Sequence, residues 1–171
     1  MHILLIRHGI AEDRDHWAKA KHADDERPLT KTGRRKLRRV AKGLQKVVPK
    51  ITVLASSPLA RAVQSAQIVA MRFPDVPVLQ ITHLSPRKPL AGLLNWLQTQ
   101  PAHGTIALVG HEPHLSTFAG WLLTGLQESF VDMKKGAAML LELADEVKPG
   151  HARLLWALKP SHLRVMGKVE K

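Results

Sequence analysis

The 171-residue chain has no cysteine and no tyrosine, and only 3 phenylalanines. Without cysteine there is no disulfide, no thiolate metal ligand and no cysteine nucleophile, a composition compatible with a reducing compartment. Scarce aromatics leave little from which to build the stacking platform of a single-strand nucleic-acid binder. Long apolar runs are missing too. None approaches the roughly 20 residues of a membrane span, and the apolar start before Arg7 is too short for the core of a signal peptide. A cytoplasmic protein with no membrane partner is therefore expected. Carboxylates are few: 14 Asp and Glu stand against 26 Lys and Arg, giving a formal charge of +12. Such an excess suits an anionic partner, whether nucleic acid, a membrane surface or a phosphorylated substrate. The length allows one compact domain that buries about two-thirds of its unfolded surface. We assign residues 1–160 to it and read 161–171 as a basic tail, poorly ordered towards its end.

What is present begins with Ile3-Leu4-Leu5-Ile6, an apolar β-branched run that stops at Arg7-His8-Gly9. A buried parallel strand delivers polar residues to its C-terminal end in this way, and ligands of open α/β sheets bind there. Gly9 permits a sharp turn and keeps a Cβ away from the imidazole. A second run, residues 105–109, ends in Gly110-His111. Two strand ends thus carry histidines.

Between them, residues 12–28 are polar and aperiodic, a loop or short irregular helix over the end of the first strand. Residues 31–50 place Leu37, Val40, Ala41, Leu44 and Val48 at helical spacing and fill the rest with Lys and Arg, an amphipathic helix whose basic face is read first as solvated surface. After a short strand at 51–55, Ser56-Ser57-Pro58 reads as an N-cap followed by proline at the first helical position. The helix runs to about residue 73. Arg61 lies one turn in, where a cation opposes the helix macrodipole, so its presence points to an anion that repays it. A strand at 76–81, a loop at 83–89, a helix at 90–100, the strand at 105–109 and a helix at 113–124 follow. Two closing strands, 137–143 and 152–158, flank a hairpin connection at 145–150. Alternation of strand and helix to residue 124 implies a mostly parallel sheet covered on both faces.

His111-Glu112-Pro113-His114 is not a zinc-protease helix, because the position four residues after the first histidine is Leu115. His114 caps or lines the helix start, and His83 is left open.

Four segments stand in order: Leu5-Ile6-Arg7-His8-Gly9, Arg27-Pro28-Leu29-Thr30-x-x-Gly33, Ser56-Ser57-Pro58-Leu59-x-Arg61-Ala62-x-Gln64-Ser65-Ala66, and Val109-Gly110-His111-Glu112-Pro113. Together they resemble the histidine phosphatase superfamily. Leu84-Ser85-Pro86 and Trp156-x-Leu158-x-Pro160 add a resemblance to its SixA-type phosphohistidine phosphatase branch. The resemblance implies a phosphoglycerate mutase-like α/β fold, a three-layer α/β/α sandwich with a mixed, mostly parallel six-stranded sheet. It also implies a metal-independent phosphatase, with no metal and no cofactor expected, and a covalent phosphohistidine intermediate on His8.

The residue types suit that chemistry. A neutral imidazole at His8 can attack phosphorus and hold the phosphoryl group. Arg7 and Arg61 have planar forks for phosphoryl oxygens, and His111 can donate to them as charge develops. Gly9, Arg27 and the Glu112 backbone N–H, at the start of the Pro113 helix, are expected as further phosphate contacts. Larger members of the superfamily carry a carboxyl general acid after the third strand, but residues 81–89 contain none. Glu12, Asp13, Asp15 and His83 are weak substitutes. An imidazole leaving group tolerates this gap better than an alkoxide. The expected substrate is therefore a phosphorylated protein, such as a histidine-containing phosphotransfer domain, acted on by a monomer with no nucleic-acid partner. Two alternatives remain: hydrolysis of a phosphoanhydride or small phosphoester, for which Arg87 and Lys88 would hold a polyanion, and a phosphate- or nucleic-acid-binding module without turnover.

Overall fold

The computed structural model describes residues 1–144 and 146–168. Asp145 of the expected hairpin connection, and 169–171 of the expected tail, lie outside the described residues.

Strand β1 (His2–Arg7) is followed by helix α1 (Arg14–Lys19), a 3-10 turn (Asp24–Glu26) and helix α2 (Lys31–Val47). The polar segment after β1 thus contains two short helical pieces rather than one. Strand β2 (Val53–Ser56), helix α3 (Ala60–Ala70), strand β3 (Val78–Gln80), a second 3-10 turn (Thr82–Leu84) and helix α4 (Leu90–Gln98) come next. Strand β4 (Thr105–Gly110), helix α5 (His114–Thr124), strands β5 (Ala138–Leu143) and β6 (Ala152–Leu158) and helix α6 (Pro160–Met166) complete the order.

The sheet runs β3-β2-β4-β1-β5-β6. The β3-β2, β2-β4 and β4-β1 pairs are parallel, and β5 and β6 close it antiparallel. This is the expected mixed sheet. Side chains alternate along β1: Leu4 and Ile6 enter the core under α2, α3 and α6, while Ile3 and Leu5 enter the core under α4 and α5. Both faces are covered, which is why residues 3–6 are uninterruptedly apolar and fully buried.

Two expectations are corrected. The segment read as a tail from residue 161 is helix as far as Met166, with Leu163 buried against α2. Proline at its first turn starts the helix, and Gly43 lets it approach: a Cβ there would sit 2.0 Å from the Leu163 carbonyl oxygen. Charge in the sequence masked this docking. Neither proline opens its helix as expected. The N-cap of α3 is Leu59, beyond Ser57-Pro58, and Pro113 is the N-cap of α5 after a cis Glu112–Pro113 peptide bond. Among the described residues no helix is long and apolar enough to cross a membrane.

Candidate active site

Parallel pairing sets the site. β1 and β4 align Arg7 with Gly110, so His8 and His111 emerge together one residue beyond the ladder, and the His8 N–H donates to the Gly110 carbonyl at 3.0 Å. Their rings lie 5.0 Å apart between centroids. β2 ends on the other side of β4, and the Ser57 N–H donates to the Val109 carbonyl at 3.0 Å, bringing the first turn of α3 and Arg61 to the same place. The four expected catalytic residues, Arg7, His8, Arg61 and His111, line one cleft of about 800 Å³. Arg27 and Glu112 line it as well.

His8 is 6% exposed and its Nδ1 lies 2.7 Å from the Gly9 carbonyl oxygen. A carbonyl only accepts, so Nδ1 carries the proton and Nε2 keeps a lone pair. Burial pushes the His8 pKa down to about 3, with Arg61, Arg7 and Lys135 adding repulsion, so the ring is neutral at physiological pH. That is the state a nucleophile needs.

His111 is fixed from the opposite side. The Ser57 hydroxyl accepts from the Leu59 N–H at 3.3 Å and lies 2.8 Å from His111 Nε2. The hydroxyl has one proton to give and a second lone pair, and when it donates to Nε2 the ring proton of His111 lies on Nδ1, the tautomer that leaves Nδ1 as a donor. That atom is buried without a partner among the described residues, as are Arg7 Nε and Arg61 Nε. An unsatisfied buried donor costs about 1–3 kcal/mol. All three belong to residues that line the cleft.

Both arginines are held by the protein along their outer edges. Arg7 Nη1 donates to the Met133 carbonyl at 2.5 Å. Arg61, 2% exposed, donates to the Asp24 carbonyl at 2.7 Å and to its carboxylate at 3.0 Å. Arg27 Nε meets the same carboxylate at 2.8 Å and Nη1 meets the Glu12 carbonyl at 2.7 Å. Asp24, on the 3-10 turn, therefore orients two guanidinium groups together. These cations oppose desolvation and keep its carboxyl below the ordinary range.

One expected phosphate contact is corrected. Gly9 does not line the cleft: its N–H donates to Ser65 Oγ at 3.0 Å and its carbonyl accepts from His8. A Cβ there would stand 3.3 Å from both Leu29 and Leu37, so the glycine serves packing against α2. At the start of α5, two backbone N–H groups beyond that of Glu112 are engaged within the protein. The Leu115 N–H donates to the His111 carbonyl, and the Ser116 N–H to the Glu112 carboxylate at 3.1 Å. Glu112, the expected contact there, lines the cleft, and burial raises its carboxyl pKa above the usual value.

Of the substitute acids, Glu12 and Asp13 line the cleft, whereas Asp15 and His83 do not. Asp13 caps α1 by accepting from the His16 N–H, which lowers its pKa. His83 packs on α4, where a Cβ at Gly92 would come within 2.6 Å of its Nδ1.

Comparison with known proteins places this geometry. The family model of the histidine phosphatase superfamily (branch 1) matches residues 3–86, which carry Arg7, His8, Arg27 and Arg61. The chain belongs to the histidine phosphatase superfamily. An uncharacterized protein of Picosynechococcus sp. is 35% identical over 139 residues, covering 79% of this chain and 81% of that protein. The protein histidine phosphatase SixA, solved with tungstate, superposes with a TM-score of 0.78 at 24% identity, over 95% of this chain and 99% of SixA. A phosphoserine phosphatase variant from Entamoeba histolytica, bound to phosphoserine, gives a TM-score of 0.68 at 18% identity, over 95% and 98% of the two chains. The fold is thus SixA-like and phosphoglycerate mutase-like.

Within this superfamily member, Asp24, Ser57, Lys135 and His114 are site residues that sequence reasoning missed or placed elsewhere. The acidic cluster 24–26 directly before Arg27 is a readable signal for Asp24. Ser57 was expected to cap a helix and instead orients His111. Lys135 follows no motif, yet lines the cleft near Arg7.

Burial of the histidines has a consequence for stability. His8, His111 and His114 all have lowered pKa values, with desolvation the largest cause in each. The unfolded chain takes up these protons near pH 6.5, while the fold resists them until far lower. Below pH 6.5 the unfolded state binds more protons, so stability falls as acid is added towards pH 3. At pH 5 each strongly depressed histidine is expected to cost on the order of 1–2 kcal/mol. Urea unfolding at pH 7 and pH 5 checks this: the midpoint should fall, and His114→Gln should reduce the difference. A midpoint unchanged between the two pH values contradicts it.

Proposed function

We propose that the protein is a metal-independent, cytoplasmic phosphohistidine phosphatase that acts on phosphorylated histidine in a protein through a covalent intermediate on His8. The observation that carries this reading is the Nδ1 to Gly9 carbonyl contact of 2.7 Å, which leaves a neutral imidazole with its lone pair on Nε2, in a cleft that Arg7 and Arg61 also line. The Nε2 lone pair forms the new N–P bond while the bond from phosphorus to the substrate imidazole breaks. The departing nitrogen takes a proton from water. A second water then attacks phosphorus, releasing phosphate and regenerating His8. Arg7, Arg61, Arg27 and the Nδ1–H of His111 neutralise charge on the phosphoryl oxygens through both steps.

Support for an imidazole leaving group comes from residues 81–89, which place no carboxyl beside the cleft. Kinetics across leaving groups test it. Phosphoimidazole and activated aryl phosphates should be turned over, with rates falling steeply as leaving-group pKa rises and simple alkyl phosphates slower by about 10²-fold or more. Comparable rates for alkyl phosphates and phosphohistidine would remove this reading.

One observation favours a phosphoester substrate instead. Glu112 brings to the cleft a carboxyl with a raised pKa, fixed by Ser116. If it protonates an alkoxide, Glu112→Gln selectively abolishes alkyl phosphate turnover and spares good leaving groups.

A further inference from the structure

The catalytic chemistry does not use the Pro86-Arg87-Lys88-Pro89 turn, which forms a separate wall of the cleft. It is built rigidly. Two prolines bracket it, the Lys88 N–H closes on the Ser85 carbonyl at 3.3 Å, and α4 starts at the next residue with Leu90 buried. His114 pins it from beneath: Nε2 lies 3.1 Å from the Lys88 carbonyl oxygen, and the ring is 7% exposed. Because that carbonyl only accepts, Nε2 is the donor.

Arg87 holds a left-handed conformation, with φ at 65°. A bulky residue adopts that backbone at a cost, and such strain gathers at functional sites. Asn, Asp or Gly would occupy the position more easily. Both side chains are exposed, and among the described residues neither forms an ion pair. This contrasts with Arg14, Arg27 and Arg61, all paired with Asp24. The cleft carboxyls Asp13 and Glu112 are bonded to backbone N–H groups instead.

We propose that Arg87 and Lys88 form a preorganised cationic arm that selects phosphohistidine sites flanked by carboxylates on the substrate protein. The inference rests on the phosphohistidine reading and deepens it. The phosphoryl group already meets Arg7, Arg61 and Arg27 inside the cleft, so two further cations on the exposed rim suit anions outside that group. Rim charges act on encounter and selection, which makes a macromolecular partner with acidic side chains near the modified histidine the matching ligand.

The test uses three phosphohistidine peptides that differ only in flanking residues: acidic, neutral or basic. The wild-type chain should prefer the acidic flank over the basic one by about 3- to 10-fold in kcat/KM at low salt, mainly through KM. Raising ionic strength should shrink the ratio. The charge-reversed variant Arg87→Asp, Lys88→Glu should invert the preference, an outcome that misfolding cannot produce. Aspartate is chosen at 87 because it tolerates the left-handed backbone. Turnover without any flank preference, or the same preference in the reversed variant, overturns the arm alone. Failure to turn over any of the three peptides overturns the phosphohistidine reading and the arm with it. If a small polyphosphate rather than a carboxylate is what the arm holds, it will compete equally well against all three peptides, and the arm as proposed is wrong.

Discussion

His8→Ala is expected to abolish turnover and to leave no acid-labile phosphoenzyme after rapid quench with labelled substrate, while the fold survives. The expectation follows from how little else in the cleft can do the work. His111 lies close, but its Nε2 is engaged by Ser57 at 2.8 Å and its Nδ1 is buried, so neither nitrogen is placed to attack. Glu112 has one oxygen held by the Ser116 N–H, which ties its carboxylate to the start of α5. Direct attack by water remains, and it forfeits the division of one difficult displacement into two easier ones. A loss on the order of 10⁴-fold or more is therefore expected, with only the electrostatic pocket contributing. The fold should tolerate the change because the ring borders the cleft and spans neither apolar core. Circular dichroism and urea unfolding serve as the control. Equal labelling of wild type and variant would show that the phosphoryl group sits elsewhere.

Much of this site was legible because its parts obey local rules. An apolar run interrupted by Arg7-His8-Gly9, and another by Gly110-His111, announce two strand ends, and parallel pairing necessarily sets neighbouring strand ends side by side. Arg61 was legible as a cation where a helix start disfavours one. Other segments of the family pattern turn out to be scaffolding. Gln64 Oε1 accepts the Leu29 N–H at 2.8 Å, and Ser65 Oγ accepts the Gly9 N–H and donates to the Arg61 carbonyl at 2.6 Å, stitching α3 to the loops that carry the site. Gly33 is required for the same reason, since a Cβ would fall 2.0 Å from the Ile10 carbonyl oxygen.

What could not be read depends on distance in the chain. Asp24 is 37 residues from Arg61, and no periodicity links them. Lys135 reaches the cleft only because β5 returns antiparallel beside β1, with Ile6 paired to Ala138. The helical fate of residues 160–166 was hidden by composition, because the contact that orders them is a glycine-mediated approach of two backbones and not an apolar stripe. The Pro58 and Pro113 positions misled for a related reason: their neighbours Ser57 and Glu112 serve the site as well as the adjoining helix, which shifts each helix start by one or two residues.

Arg61→Ala is expected to slow phosphoenzyme formation by roughly 10²-fold or more, whereas reversing two charges on α2, Arg35→Glu with Arg39→Glu, should leave it nearly unchanged. The two sets differ in burial and in what they face. Arg61 is buried, directed by Asp24, and borders the same cleft as His8, where low dielectric magnifies its effect on developing phosphoryl charge. Its loss also leaves the Asp24 carboxylate with Arg27 and Arg14 alone, adding negative charge where an anion must bind. Arg61→Lys should recover only part of the rate, since an ammonium cannot keep both Asp24 contacts and still present an edge to phosphate. Arg35 and Arg39 are exposed on the outer face of α2, in water and mobile salt. At physiological ionic strength their fields decay over about 8 Å, too short a reach to act as pocket charges do. Single-turnover measurements at 50 and 300 mM salt separate these cases: the Arg61→Ala deficit should persist at both, and any effect of the α2 reversal should fade at the higher. Greater damage from the α2 pair than from Arg61→Ala, at either salt, would mean that the charge that matters lies on the basic helix and that the phosphoryl pocket has been misplaced.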